Sequence, residues 1–444
     1  MSGIHLALDL SFTHTEGRWA NAGSWTGTEY PDPKMYQEIA QLAERGGIDM
    51  LFFGDGTGIP DTWESSFAAA VKWGISWPRQ DMSPYIAAMA QVTEHIGFGL
   101  TYSSTFMHPF YTARLLNSLD HVTGGRMAFN VVGSSRLSDA ANYGYEQLMP
   151  HGERYDRMEE FIDVCTKLWD SVEPGVVVAN RETRQYGDPT KVHRVDHHGT
   201  HFDVRGPLNS LPSPQGRPVV VQAGSSPRGI AASASFADII FGMGGHLPSQ
   251  QKHRADLDAA LQAQGRDPQT VGILWDIQVM LGATEEEAAT RKQSMLDGWD
   301  LDAVGTFLSY NAGYDFSKLP EFFALSDLAE EIISTGATQN GLVQRMIVEL
   351  GADARVSRKQ FFDRGWEWTT GYDHMVTGTP ASVADQLEEN FEATGSRGGF
   401  MIGNPMSTPS SIAEVAELLA PELRRRGALA PRYPARTLRE NLLS

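Results

Sequence analysis

The chain has 444 residues, 41% of them hydrophobic, and a formal net charge of −19. The apolar content suffices for a large buried core. The acidic balance argues against a nucleic-acid partner, because a phosphate backbone wants a basic face. The one cysteine, Cys165, excludes an intrachain disulfide and a thiolate metal cluster. No apolar run approaches the roughly 20 residues that span a bilayer. The opening MSGIHLALDLSFTH lacks a basic n-region and reads as a first strand, so a cytoplasmic protein with no membrane association is expected.

Along the chain one pattern recurs: a short apolar strand, a polar tip, an amphipathic helix and a turn. Strands are expected at 4–10, 48–56, 96–104, 126–134, 218–224, 237–243, 272–283 and 398–404. Helices are expected at 33–47, which stops on glycine, and at 83–95, which opens Ser-Pro. Further helices fall near 109–122, 152–170 and 410–426. Eight near-continuous apolar strands alternating with helices favour parallel βα units buried on both faces. The count is that of an α/β fold of the closed (β/α)8, or TIM, barrel type. An open doubly wound sheet would usually carry a glycine-rich phosphate loop after one strand, and no G-x-G-x-x-G follows a strand here. A single barrel domain over 1–444 is expected, with long insertions at about 56–82, 171–217 and 298–378.

On such a barrel the C-terminal ends of the strands build the active site. The tips carry His14, Asp55, Thr101, Ser103, Asn130, Gln222 and Asn404. Each alone ends a strand or caps a helix; together on one rim they point to a shared pocket. In VVVQAGSSPRG, residues 219–229, a strand ends in a tight turn and Ser225 and Ser226 open a helix. Backbone N–H groups and hydroxyls at a helix start suit a phosphate, with Arg228 adding charge; the alternative is an ordinary serine cap. In HGERYDR, residues 151–157, His151 and Tyr155 share a helix face and can reach the same phosphate, unless Tyr155 only heads the buried stripe. His193, His197, His198 and His201 lie in a glycine-interrupted loop without a carboxylate pair, so no metal site is expected. Trp63, Phe67, Trp73 and Trp77 make either a platform for a flat or apolar ligand or a lid packed on itself.

The segments ARLLNSLDHVTGGRMAFNVV, TEHIGFGLTYSS, HGERYDRMEEFIDVCTKLWDS, KVHRVDHHGTHFDVRGPLNSLPSPQGRPVVVQAGSSPRG and VTGTPASVADQLEE resemble the bacterial-luciferase-like flavin monooxygenases. The similarity is to the branch of nitrilotriacetate, EDTA and dibenzothiophene-sulfone monooxygenases and the pristinamycin synthase A subunit, over nearly the whole chain. The resemblance implies a barrel with insertions and reduced FMN delivered by a separate NAD(P)H:flavin reductase. It implies reaction with O2 to a flavin C4a-(hydro)peroxide that oxygenates a small organic substrate, in a homodimer or homotetramer. By motif, Asp55, Thr101, His151, Tyr155 and Ser226 match FMN-binding positions, with Asn130 at the ring, Ser225 at the phosphate and Ser103 on the same rim. His14, Asp55 and Asn130 are the catalytic candidates. Relatives usually read Gly-Trp-Asn-Val-Val-Thr-Ser in strand four, whereas this chain has Phe129 and Gly133, a change expected near the ring and substrate side. The alternatives are an F420-dependent oxidoreductase of the same superfamily and a non-catalytic flavin-binding protein.

Overall fold

A computed structural model describes residues 3–11, 18–24, 29–334, 341–403 and 405–443. Eight parallel strands run β1 (His5–Asp9), β2 (Met50–Phe53), β3 (Gly97–Ser103), β4 (Met127–Val132), β5 (Val219–Ala223), β6 (Ile239–Met243), β7 (Gly272–Leu281) and β8 (Gly398–Gly403). Each pairs with the next in sequence, and β8 pairs back to β1 through His5 and Gly399, so the sheet closes. This is the expected (β/α)8 barrel.

The strands bury two faces, as their unbroken apolar runs require. Phe98, Leu100 and Tyr102 of β3 and Met127, Phe129 and Val131 of β4 join the apolar layer shared with the helices. The alternate positions Ala7, Met50, Phe52, Ala128, Val219, Val221, Leu274 and Met401 fill the interior. Phe52 and Phe241 stack there with centroids 5.4 Å apart. Leu438 and Leu442 of the C-terminal helix Leu438–Leu443 close the N-terminal end of this interior cluster.

Between the strands lie helices α1 (Pro33–Gly46), α2 (Ser83–Ala90), α3 (Pro109–Thr123), α4 (His151–Trp169), α5 (Pro227–Phe236) and α6 (Leu247–Ala263). α1 starts on an Asp32 cap and stops on Gly47 at φ 73°. α2 ends before residue 95, because the Glu44 carboxylate takes the N–H groups of Glu94, His95 and Ile96 and turns the chain into β3. The TGGR turn works the same way: Gly124 sits at φ 69° and its N–H returns to Asp120 and His121, which reverses the chain within four residues. No helix among the described residues is long and apolar enough to cross a membrane.

The insertions differ in kind. Residues 171–217 form two short hairpins, Val177–Asn180 with Gln185–Gly187 and His197–His198 with Asp203–Val204. Three of their histidines face carboxylates: His193 pairs with Glu173 at 2.6 Å, His197 with Glu160 at 3.1 Å and His198 with Asp203 at 2.8 Å. Residues 298–378 are helical, with α7 (Leu301–Ala312), α8 (Leu325–Ser334), α9 (Gly341–Leu350) and α10 (Arg358–Thr370) around a second apolar cluster. That insertion grows from β7, whose far end Val279–Leu281 projects past its barrel partners and pairs with the returning strand Val376–Gly378. The placement swings α7 over the barrel mouth.

Candidate functional site

A cavity of about 1180 Å³ opens at the C-terminal ends of β4 and β5. Its walls come from the loops after β2, β4 and β5, from α4, and from α7, α9 and α10 of the large insertion. α4 contributes His151, Arg154, Tyr155 and Met158, which recur at i, i+3, i+4 and i+7 and therefore share one face. Gly133 sits opposite, and a Cβ there would meet Met158 and the Arg154 Cβ at 3.5 and 3.6 Å. A Cβ would therefore be accommodated at the end of β4 in ordinary contact with α4.

One end of the cavity is a turn built for close approach. β5 ends at Ala223, and the Ser226 hydroxyl accepts the Gly229 N–H at 3.1 Å, capping α5 ahead of Pro227. A Cβ at Gly229 would lie 2.9 Å from the Tyr155 hydroxyl, and one at Gly224 would lie 3.2 Å from it. Only glycines let that hydroxyl settle over the turn. Ser225 and Ser226 line the cavity beside it. Arg228, expected to add charge here, turns away instead: its guanidinium binds Asp156 and Glu159, each at 2.7 Å. Arg154, on the α4 face that carries His151 and Tyr155, does line the cavity and makes no ion pair with a described residue; burial pushes its pKa down.

The other end is an adjoining cleft lined by Asp55, Thr101, Ser103 and Val132. Thr101 and Asn130 are register partners, and the Asn130 amide donates to the Thr101 hydroxyl at 2.9 Å. Asn130 Oδ1 is buried without a partner, a state that invites a ligand donor. Burial raises the Asp55 carboxyl from its ordinary 3.8 to about 6 against the opposing field of Arg79, with Asp81 and Asp139 adding to the rise. Asp139 accepts the N–H groups of Thr57 and Gly58 at 2.8 and 2.6 Å and so holds the loop after Asp55.

The fold gathers Asp55, His151, Tyr155, Ser225 and Ser226 on one cavity and Thr101 and Ser103 on its neighbour, with Asn130 behind. His14 and Asn404 lie outside the described residues. Gln222 does not line the cavity: it is fully buried under the Gly224 turn. Phe129 does not line the cavity either, since strand alternation turns it outward against Phe161, with centroids 6.3 Å apart. The aromatic loop is no platform either, because Trp63 packs on Phe362 and α7 in the second cluster and none of its four aromatic rings lines the cavity. Among the described residues no group of three His, Cys, Asp or Glu side chains is arranged to hold a metal ion. Sequence reasoning missed Arg136, Arg154 and Asn311, which line the cavity. Arg154 was findable, three residues after His151 on a helix. Arg136 and Asn311 meet only through the tertiary fold.

The luciferase-like monooxygenase family model matches residues 13–398. Dibenzothiophene-sulfone monooxygenase of Rhodococcus erythropolis (strain XP) is 32% identical over 445 residues, covering 99% of this chain and 96% of that protein. Nitrilotriacetate monooxygenase component A of Aminobacter aminovorans is 34% identical, covering 93% and 90%. The crystal structure of riboflavin lyase RcaE, solved with modified FMN and riboflavin, superposes with a TM-score of 0.84 at 28% identity over 99% of this chain and 96% of that one. The chain belongs to the luciferase-like monooxygenase family. It is an enzyme of the two-component, flavin-dependent type.

Proposed function

We propose that the protein is the oxygenase component of a two-component system that uses reduced FMN and O2 to oxygenate a small organic substrate. A separate NAD(P)H:flavin reductase supplies the reduced flavin, and the protein works in the cytoplasm as a homo-oligomer. The observation that carries the reading is the glycine-floored turn under the Tyr155 hydroxyl, in a cavity that adjoins the cleft of Thr101 and Ser103, with the unsatisfied Asn130 bonded to Thr101 behind it. A phosphate fits the first feature: the hydroxyls of Ser225, Ser226 and Tyr155, the α5 N-terminus, His151 and Arg154 offer donors and positive charge. A polar ring edge fits the second, where Asn130 has an open acceptor and Thr101 and Ser103 flank it. His14, outside the described residues, stays a catalytic candidate through the sequence resemblance alone.

Reduced FMN supplies the electrons that activate O2; the chain's own residues do the rest. The Ser225–Ser226 turn and α4 fix one end of the ligand. Asn130 and Thr101 fix its orientation. Asp55, with a pKa near 6, exchanges a proton close to neutrality beside the cleft. Leu148, Met149, Leu308 and Leu342 cover the mouth and limit water.

The test is rapid mixing. Protein loaded anaerobically with reduced FMN is mixed with O2, and flavin reoxidation is followed optically. Reoxidation slower than that of free reduced FMN is expected. A rate equal to free flavin, with no retention of FMN on gel filtration, would overturn the reading; retention of F420 in its place would favour the deazaflavin alternative.

A further inference from the structure

We propose that the barrel mouth recognises the carboxylate of an organic-acid substrate through the Arg136 guanidinium, with Arg79 beside it and Asn311 and Tyr310 holding the fork in place. The inference rests on the oxygenase reading of this cavity and narrows its substrate class.

Arg136 enters the cavity from the loop after β4. One of its terminal nitrogens donates to Asn311 Oδ1 at 3.1 Å, and the guanidinium carbon lies 4.4 Å from the centre of the Tyr310 ring. Both partners belong to α7, so the fork is pinned between barrel loop and insertion. Both are neutral. Arg79 comes to the same place from the first insertion: a Cβ at Gly56 would lie 3.3 Å from its Nη1 and 3.4 Å from Nη1 of Arg136. Gly56 therefore leaves a notch between two like charges, and their repulsion is relieved when an anion enters.

The carboxylates that surround the pair are otherwise engaged. Asp139 accepts the Thr57 and Gly58 N–H groups, Asp81 the Tyr102 hydroxyl at 3.0 Å and Asp55 the Gly56 N–H at 2.8 Å, and none of the three comes within 4.0 Å of either guanidinium. No ion pair within 4.0 Å joins Arg79 or Arg136 to a described residue. Several part-buried arginines away from the mouth are paired or saturated, although Arg424 there has only the Gly46 carbonyl. Arg291 binds Glu414, Arg397 binds Asp258, Arg439 binds Asp238, and Arg126 is saturated by backbone carbonyls. A chain with 55 acidic and 36 basic residues does not lack carboxylates, so a cavity-wall guanidinium that makes no ion pair, with a second one behind it, marks a place for a ligand charge. The opposite walls are apolar, with Leu148, Met149, Leu308 and Leu342. An acid with a short apolar body matches both surfaces. The notch is separate from the Ser225–Ser226 turn assigned to the phosphate.

The test uses FMN-loaded protein and equilibrium dialysis against a mixture of C4 to C10 aliphatic and aryl carboxylic acids, set beside the matching primary amides. Wild-type protein is expected to retain acids about tenfold more than amides, the worth of one charge-assisted bidentate contact. Arg136→Gln abolishes that preference with FMN affinity unchanged, which also reports that the variant is folded. Arg136→Lys keeps the charge but not the fork and retains part of the preference. Equal retention of acids and amides by the wild type, or an undiminished preference in Arg136→Gln, overturns the inference. Should FMN fail to bind, the oxygenase reading falls by itself, and the acid preference of the flavin-free protein still decides the assignment of Arg136.

Discussion

The two ends of the barrel handle buried polar groups in opposite ways. At the N-terminal end the network around Asp120 and Arg126 is satisfied. Asp120 accepts from the Met127 N–H at 3.0 Å, from the Gln215 amide at 2.7 Å and from the Ser213 hydroxyl. Arg126 donates to Thr93, Ile96 and Thr123. At the C-terminal end, Asn130 Oδ1 has no partner, Arg154 and Arg136 have no counter-ion among the described residues, and burial raises the Asp55 carboxyl to about 6. Equal burial with unequal satisfaction separates the face that holds the fold from the face that waits for ligands.

That contrast is breakable from either side. The largest effect is expected at the satisfied end. Asp120→Ala strands three donors and should cost about 3 kcal/mol of stability in urea unfolding, with FMN affinity of the folded protein intact. A loss of under about 1 kcal/mol would mean the network is not what holds the N-terminal end.

Asp55 comes next, and its sign is the reverse of a salt-bridged carboxylate. Burial raises its pKa from 3.8 to about 6. Its protonated form favours folding below pH 4, and that contribution is lost as the pH rises from about 4 to 6. Asp55→Asn should therefore stabilise the flavin-free protein by about 3 kcal/mol well above pH 6 and by nothing below pH 4. Superimposable pH–stability curves for the two proteins would show that Asp55 is not strained.

Tyr155→Phe removes one hydroxyl over the glycine turn. FMN affinity should fall about tenfold with an unchanged melting temperature in the absence of flavin, read by fluorescence quenching and calorimetry. Unaltered affinity would take Tyr155 out of the phosphate contact. The smallest effect on FMN binding belongs to Phe129→Trp. Because Phe129 faces α4 rather than the cavity, FMN affinity should move by less than about twofold, while overpacking costs about 1 to 3 kcal/mol of stability. A large change in affinity would place this strand face in the site after all.

The eight strands were legible because each is short, apolar on both faces and bounded by turn residues, a pattern carried by local chemistry alone. α4 was legible with its cavity-facing His151 and Tyr155 for the same reason. The Ser226 cap shows where local reading stops: the serine cap and the phosphate turn look identical in sequence, and here one hydroxyl serves the cap while facing the cavity. Arg228 looked like the anion-binding charge because it follows the two serines. It lost that place to Asp156 and Glu159 on the adjacent helix, partners that no spacing along the chain announces.

The sequence by itself determined the strand count, the closed parallel barrel, and the residue types at the rim of β2 to β5, because strand alternation and helix periodicity are short-range properties of the chain. Only the tertiary structure decided which rim residues share a cavity and which charges there go unpaired. It also decided that α7, some 170 residues beyond Arg136, supplies Asn311 and Tyr310 to hold it. Those outcomes turn on contacts between distant segments, and a buried charge becomes informative only when every neighbour that might have neutralised it is known.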